Sequence, residues 1–181
     1  MTAAVDAPAL FDTIAEGAAG ESPLWGEALR PAAEREPVPV FSPLVPDAAF
    51  ALGVETIYEG YLLHFGTPRL FAPGDRDTAL LLGDYLYAHG LVRIAATGSV
   101  DAVGDLAELI SLCAQARADG LPGDDVAWAA TSALLGKAML DGAREALRRE
   151  RDLRPLDAAA RAAVGDEAVQ RALELHRRNT T

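Results

Sequence analysis

The nineteen residues TALLLGDYLYAHGLVRIAA, Thr78 to Ala96, constrain the fold most. They read as one long helix whose apolar positions run nearly all the way round. Such a helix must be surrounded by others, which predicts a multi-helix bundle with this segment at its centre. At mid-length it carries Gly83 and Asp84, followed by Tyr85 and Tyr87. A helical glycine costs about 1 kcal/mol relative to alanine, a cost that close approach of another helix can offset. A carboxylate among apolar residues needs a partner, water or a polar cavity. Tyr58 and Arg93 are the candidate partners.

The rest of the chain is patterned for helices too. Residues 1–21 are rich in small residues and read as a flexible N-terminal segment, with a short helix near Leu10–Ala15. Residues 22–46 hold Pro23, Pro31, Pro37, Pro39, Pro43 and Pro46, so an extended connector is predicted there. A helix capped by Asp47 then carries Phe50, Leu52, Val54, Ile57, Tyr61 and Leu62. Gly66, Pro68, Pro73 and Gly74 break it, and Asp75 or Asp77 caps the helix that contains Gly83. A helix over 101–118, capped by Ser99 or Asp101, presents Leu106, Leu109, Ile110 and Cys113. The next is capped by Asp124 or Asp125 and runs to a charged end before Pro155. A last helix over about 156–177 is weakly amphipathic. No strand is required, so the predicted class is all-α with about five helices. Residues 22–149 form the domain, and 150–181 a charged C-terminal helix or tail.

The formal net charge is −11. Residues 1–140 carry 7 basic and 19 acidic side chains, against 9 and 8 in residues 141–181. This balance argues against nucleic acid as a partner. No apolar run reaches the roughly 18 residues of a membrane span. Cys113 stands alone, which excludes an intrachain disulfide and fits a reducing compartment. With no signal-peptide pattern at the N-terminus, a cytoplasmic protein is expected.

One set of motifs carries a resemblance. Gly83-Asp84-Tyr85-Leu86-Tyr87-Ala88 resembles the Gly-Asp-Tyr/Phe-Leu-hydrophobic-Ala helix of the trans-isoprenyl diphosphate synthase (polyprenyl synthetase) family. GEALRP, Gly26–Pro31, resembles that family's Gly-Lys-Arg-Leu-Arg-Pro segment. Ala51–His64 resembles the helix ending in its first aspartate pair, and Gly66–Pro68 its Arg-Arg-Gly-x-Pro turn. Thr131–Ala143 is faintly similar to its Lys-Thr-Ala helix. The matches fall in the family's order over roughly 22–145.

The resemblance implies a partial isoprenoid-synthase-like bundle. Its candidate pocket residues are Asp84, Tyr85, Tyr87, His64 and Tyr61, and its candidate diphosphate contacts are Arg30 and Arg69. The departures bear on mechanism. Family members hold magnesium with facing carboxylate clusters, because a hard cation takes oxygen ligands. Phe65 and Gly66 stand where the first cluster should begin. Glu27 and Ala28 replace two basic residues, Ala130 stands where the lysine before Thr131 would be, and the second cluster lies beyond this chain's length. Without such groups, the ~8 kcal/mol or more of barrier lowering typical of enzymes has no evident source. Glu55 and Glu59 share a helix face beside His64, but a di-metal bundle wants Glu-x-x-His pairs on two helices.

The expectation is therefore a degenerate, truncated relative with no catalytic residues, no metal site and no cofactor. It would be an accessory or regulatory subunit in isoprenoid biosynthesis, as a homodimer or paired with an active prenyl synthase through the helices containing Tyr61 and Gly83. The alternative is a divergent magnesium-dependent prenyltransferase using Asp75, Asp77, Asp84 and Asp125. An apolar-ligand carrier and an accidental likeness among alanine-rich helices are the other readings.

Overall fold

Side-chain caps set several helix starts where the sequence places them. Asp47 accepts from the Ala49 amide at 2.9 Å, Asp75 from Thr78 at 2.8 Å, and Ser99 from Ala102 at 3.2 Å. The computed structural model describes residues 7–180. Its helices are α1 (Ala7–Glu21), α2 (Pro23–Glu27), α3 (Ala51–Phe65), α4 (Arg76–Ala95), α5 (Val100–Ala118), α6 (Asp124–Ala133), α7 (Asp141–Glu145), α8 (Arg154–Val164) and α9 (Asp166–Thr180). Short 3₁₀ turns punctuate the proline-rich connector, and α7 runs on into a π turn over Ala146–Glu150. Among the described residues the only β contact is a single antiparallel bridge, Leu29 to Phe71.

The all-α class stands, while the helix count is nine among the described residues rather than about five. Two predicted helices divide. The one beginning at Asp124 ends at Ala133, because Gly136 and Ala138 adopt positive φ (77° and 50°) and the Gly136 amide turns to Asp105. The last one breaks at Gly165, where φ is 87°. The start of α6 also differs. Its N-cap is Gly123 (φ 120°), with no side-chain cap, and Asp124 turns inward instead.

The central helix is α3, not α4. Twelve of the fifteen residues of α3 are buried, but only five of twenty in α4. The outward face of α4 is apolar yet solvent-exposed at Leu81 and Val92, and this made the pattern look apolar all round. The central helix was disguised by its two carboxylates, which are neutralised from within. Segment 7–21, expected to be flexible, is a helix that buries Leu10, Phe11, Ile14, Ala15 and Ala18 on one face; residues 1–6 of that expectation lie outside the described residues. The C-terminal segment, expected to be a charged helix or tail, forms α8 and α9 and packs inward. Leu156, Ala160, Val169 and Leu173 join Tyr58, Trp128 and Leu109 in one core. A second core forms where α1 meets Leu63, Leu70, Phe71, Leu82 and Leu86.

Glycines seat α4 on α3. Gly53 and Gly60 on α3 lie opposite Gly90 and Gly83 on α4, so the helices run antiparallel with both pairs two turns apart. A Cβ at Gly60 would stand 2.9 Å from the Gly83 carbonyl oxygen, and one at Gly90 would run into Ile57. Gly83 itself makes room for the His64 imidazole, which a Cβ would meet at 2.6 Å. The glycine in the middle of the helix is therefore a docking point for its neighbour.

Candidate functional site

Two polar clusters flank α3. On one side, Glu55 and Glu59 are one helical turn apart and meet Arg69 from the loop after α3. Arg69 Nη1 donates to Glu55 Oε2 at 2.7 Å, and Nε to Glu59 Oε2 at 3.0 Å. Glu55 Oε1 accepts three successive backbone amides, from Val40, Phe41 and Ser42, at 2.9, 3.1 and 2.9 Å. Glu59 Oε1 accepts from the Leu70 amide at 2.7 Å. The guanidinium lies between the rings of Phe11 and Tyr58, at 4.7 and 4.9 Å. Burial alone would lower the Arg69 pKa, but the two glutamates outweigh it and raise it. With their oxygens occupied, these carboxylates tie the connector and the 66–71 loop to the central helix.

On the other side, Tyr58, Tyr61 and Trp128 pack with Phe41 and His176, their ring centroids 5.0–5.9 Å apart. Tyr61 donates its hydroxyl to Asp124, which also pairs with Arg117. Arg117 Nη2 donates to the Tyr61 oxygen at 2.7 Å. His176 Nδ1 lies 3.1 Å from the Tyr58 hydroxyl, and Nε2 stands 3.9 Å from Asp124. Burial, reinforced by Asp124, pushes the Tyr61 phenol well above its ordinary pKa, and burial does the same for Tyr58. Burial alone would also raise the Asp124 carboxyl. His176, the Tyr61 hydroxyl and the Arg117 charge outweigh it and hold the carboxyl below the usual range.

That shift sets an acid dependence. The folded-state pKa of Asp124 lies below its unfolded value, so its contribution to stability is complete above about pH 4 and is lost as pH falls toward the folded value. Urea midpoints of the native protein and Asp124→Asn should therefore differ most near pH 6, and the gap should narrow by pH 2.5. A gap that stays constant with pH would show that the carboxylate charge plays no part.

The structure divides the residues singled out in the sequence. His64, Asp84 and Tyr87 meet on the face of α4 that touches α3. His64 Nε2 is 3.2 Å from Asp84 Oδ1, and its ring stacks on Tyr87 at 5.1 Å. The buried Nε2 lies at ion-pair distance from the carboxylate without an aligned hydrogen bond to it. Burial lowers the His64 pKa against the opposing pull of Asp84. The Asp84 side chain is 73 % exposed, so it does not face an enclosed pocket. Tyr85 stacks on Trp25 and His89 instead. Tyr61 turns instead to Asp124 and Arg117. Arg30 and Arg69 do come together, lining a polar cavity of about 210 Å³ with Thr67, Arg178, Asn179, Glu34 and Glu36. Arg69 is turned inward there, and Arg30 Nε donates to the Pro68 carbonyl at 3.3 Å.

A larger groove of about 710 Å³ runs between Val38–Leu44 and α9. A third buried pair, Arg144 with Asp105 at 2.9 Å, fixes the turn that ends α6. Arg117, Asp105, Arg144 and His176 escaped the sequence reading. His176, in the charged C-terminal segment, is 2 % exposed. The available signal was its spacing from Val169 and Leu173, which puts all three on one helix face. No helix among the described residues is long and apolar enough to cross a membrane. No family model, curated protein or solved structure matches the chain.

Proposed function

We propose that this chain is a non-catalytic, polyprenyl-synthetase-like protein that serves as an accessory or regulatory subunit in isoprenoid biosynthesis. One observation carries the non-catalytic part. The space between α3, α6 and α9 is filled by Phe41, Tyr58, Tyr61 and Trp128, each at most 1 % exposed. A prenyl chain needs an open channel, and here aromatic rings occupy the interior. The carboxylates that a divergent enzyme would use for magnesium are otherwise engaged in two cases. Asp75 holds the Thr78 amide and hydroxyl, and Asp125 accepts from the Val126 amide.

A subunit role also needs a docking surface. Leu81 and Val92 on α4, and Val100 at the start of α5, are 58, 64 and 81 % exposed. This apolar face suits a second copy or an active prenyl synthase.

Two measurements test the reading. Co-expressed with an active polyprenyl diphosphate synthase, the protein should co-purify in a defined ratio, and Leu81→Glu with Val92→Glu should abolish the complex. Calorimetric titration with a non-hydrolysable allylic diphosphate analogue should give no heat with or without magnesium. Micromolar binding that requires magnesium and is lost in Asp84→Ala would overturn the proposal in favour of a prenyltransferase.

A further inference from the structure

We propose that the groove of about 710 Å³ between the proline-rich connector and α9 is a preformed site for a small, uncharged, apolar molecule that ends in a hydroxyl, an aliphatic alcohol. The inference does not depend on the isoprenoid reading.

Two fixed walls hold the groove open. The connector wall is pinned from behind, where Glu55 Oε1 accepts the Val40, Phe41 and Ser42 amides and Arg69 Nη1 donates to the Val38 carbonyl at 2.9 Å. The α9 wall is pinned along its length. Val169, Ala172 and Leu173 belong to the main core, and the Thr67 amide donates to the Asn179 carbonyl at 2.7 Å. Where α9 begins, Arg161 pairs with Asp166 at 3.4 Å and the Gly165 amide donates to the Arg161 carbonyl at 2.9 Å. Walls held in this way do not collapse onto each other, so the apolar surface between them is preorganised for a ligand. The floor is Val40, Leu44 and Ala172, each at most 3 % exposed, and Val38, Pro43 and Ala168 stand above it. The volume lies within the roughly 300–1,000 Å³ typical of small-molecule sites.

The connector wall also excludes an extended peptide, which would need free backbone donors. Pro39 and Pro43 have none. The Val38 amide donates to the Glu36 carbonyl at 2.7 Å and that of Leu44 to the Phe41 carbonyl at 3.0 Å, while Glu55 takes the three between Pro39 and Pro43.

Charge selects the end group. Asp166, Glu167 and Arg171 line the groove near the start of α9, and Asp166 is already paired with Arg161. Glu167 and Arg171 are one helical turn apart, and neither side chain has a hydrogen-bond or ion-pair partner among the described residues. Their charges balance. A carboxylate head would gain Arg171 but meet Glu167, and an ammonium head would gain Glu167 but meet Arg171. A hydroxyl suits both, donating its proton to Glu167 while its oxygen accepts from Arg171.

NMR titration of the ¹⁵N-labelled full chain with 1-decanol, decanoate and decylammonium, all below micelle-forming concentrations, tests this. The alcohol should shift the amides of Val38, Val40, Leu44, Ala168 and Ala172 saturably, and each charged analogue should bind at least ~10-fold more weakly. Ala168→Phe, which fills the groove, should weaken alcohol binding by at least ~10-fold, and Val38→Trp should do the same from the opposite wall. An analogue that binds as tightly as the alcohol would overturn the end-group assignment. Shifts that do not saturate, or binding that survives in the folded filled variants, would show that the groove is not a ligand site. Shifts at the same amides on raising the protein concentration alone would assign the groove to a second copy and overturn the proposal.

Discussion

Arg69→Met should destabilise the protein by about 3–5 kcal/mol, the largest effect expected of any single substitution here. Methionine fills much of the arginine volume, so packing between Phe11 and Tyr58 is largely kept. The loss is electrostatic. Glu55 and Glu59, both fully buried, would keep their backbone donors but lose the one cation that balances them. Arg69→Lys should recover only part of this. A point-like ammonium cannot span both carboxylates and the Val38 carbonyl as the planar guanidinium does. Urea unfolding at neutral pH checks both. A loss below about 1 kcal/mol for the methionine variant would show that the two glutamates are satisfied without it.

Gly60→Ala should cost about 2 kcal/mol net, although alanine favours a helix by about 1 kcal/mol over glycine. The new methyl would stand 2.9 Å from the Gly83 carbonyl oxygen and 3.2 Å from Leu86 Cβ. A backbone oxygen cannot rotate aside, so α3 and α4 must separate. For a chain of this size that should lower Tm by roughly 4–8 °C. Gly104→Ala is the internal control. It lies on the outer face of α5 with nothing within 4 Å of a new Cβ, so it should stabilise by up to about 1 kcal/mol. Calorimetry of the two variants should therefore move in opposite directions. Equal shifts would mean that helix propensity, and not the close approach of α3 and α4, governs both sites.

Helix existence was legible because its signals are local. Asp47, Asp75 and Ser99 cap within three residues of themselves, and the breaks at Gly66 and Pro73 follow from backbone chemistry alone. The choice of central helix was not, because a carboxylate at Glu55 or Glu59 reads as surface until its cation is known. That cation is fourteen and ten residues away, beyond a proline turn. Gly136 and Gly165 were visible punctuation that the alanine-rich pattern around them masked. The candidate site fared similarly. His64, Asp84 and Tyr87 do meet, and so do Arg30 and Arg69. The Tyr61–Asp124–Arg117–His176 cluster joins four separate helices, and no spacing rule within one helix could reveal it.

The three amides gathered by a single Glu55 oxygen bear on the order of folding. Their donors lie only thirteen to fifteen residues upstream, so closing that loop costs little chain entropy. Yet the oxygen that receives them exists in place only once the first turns of α3 are wound. Val40, Phe41 and Ser42 thus have no template of their own, and their geometry is imposed backwards along the chain. Phe41, which fills the aromatic interior, arrives with them. The connector should consequently be ordered no earlier than α3. A slow step in assembling the core would then be the seating of this proline-rich loop, with the helices already formed.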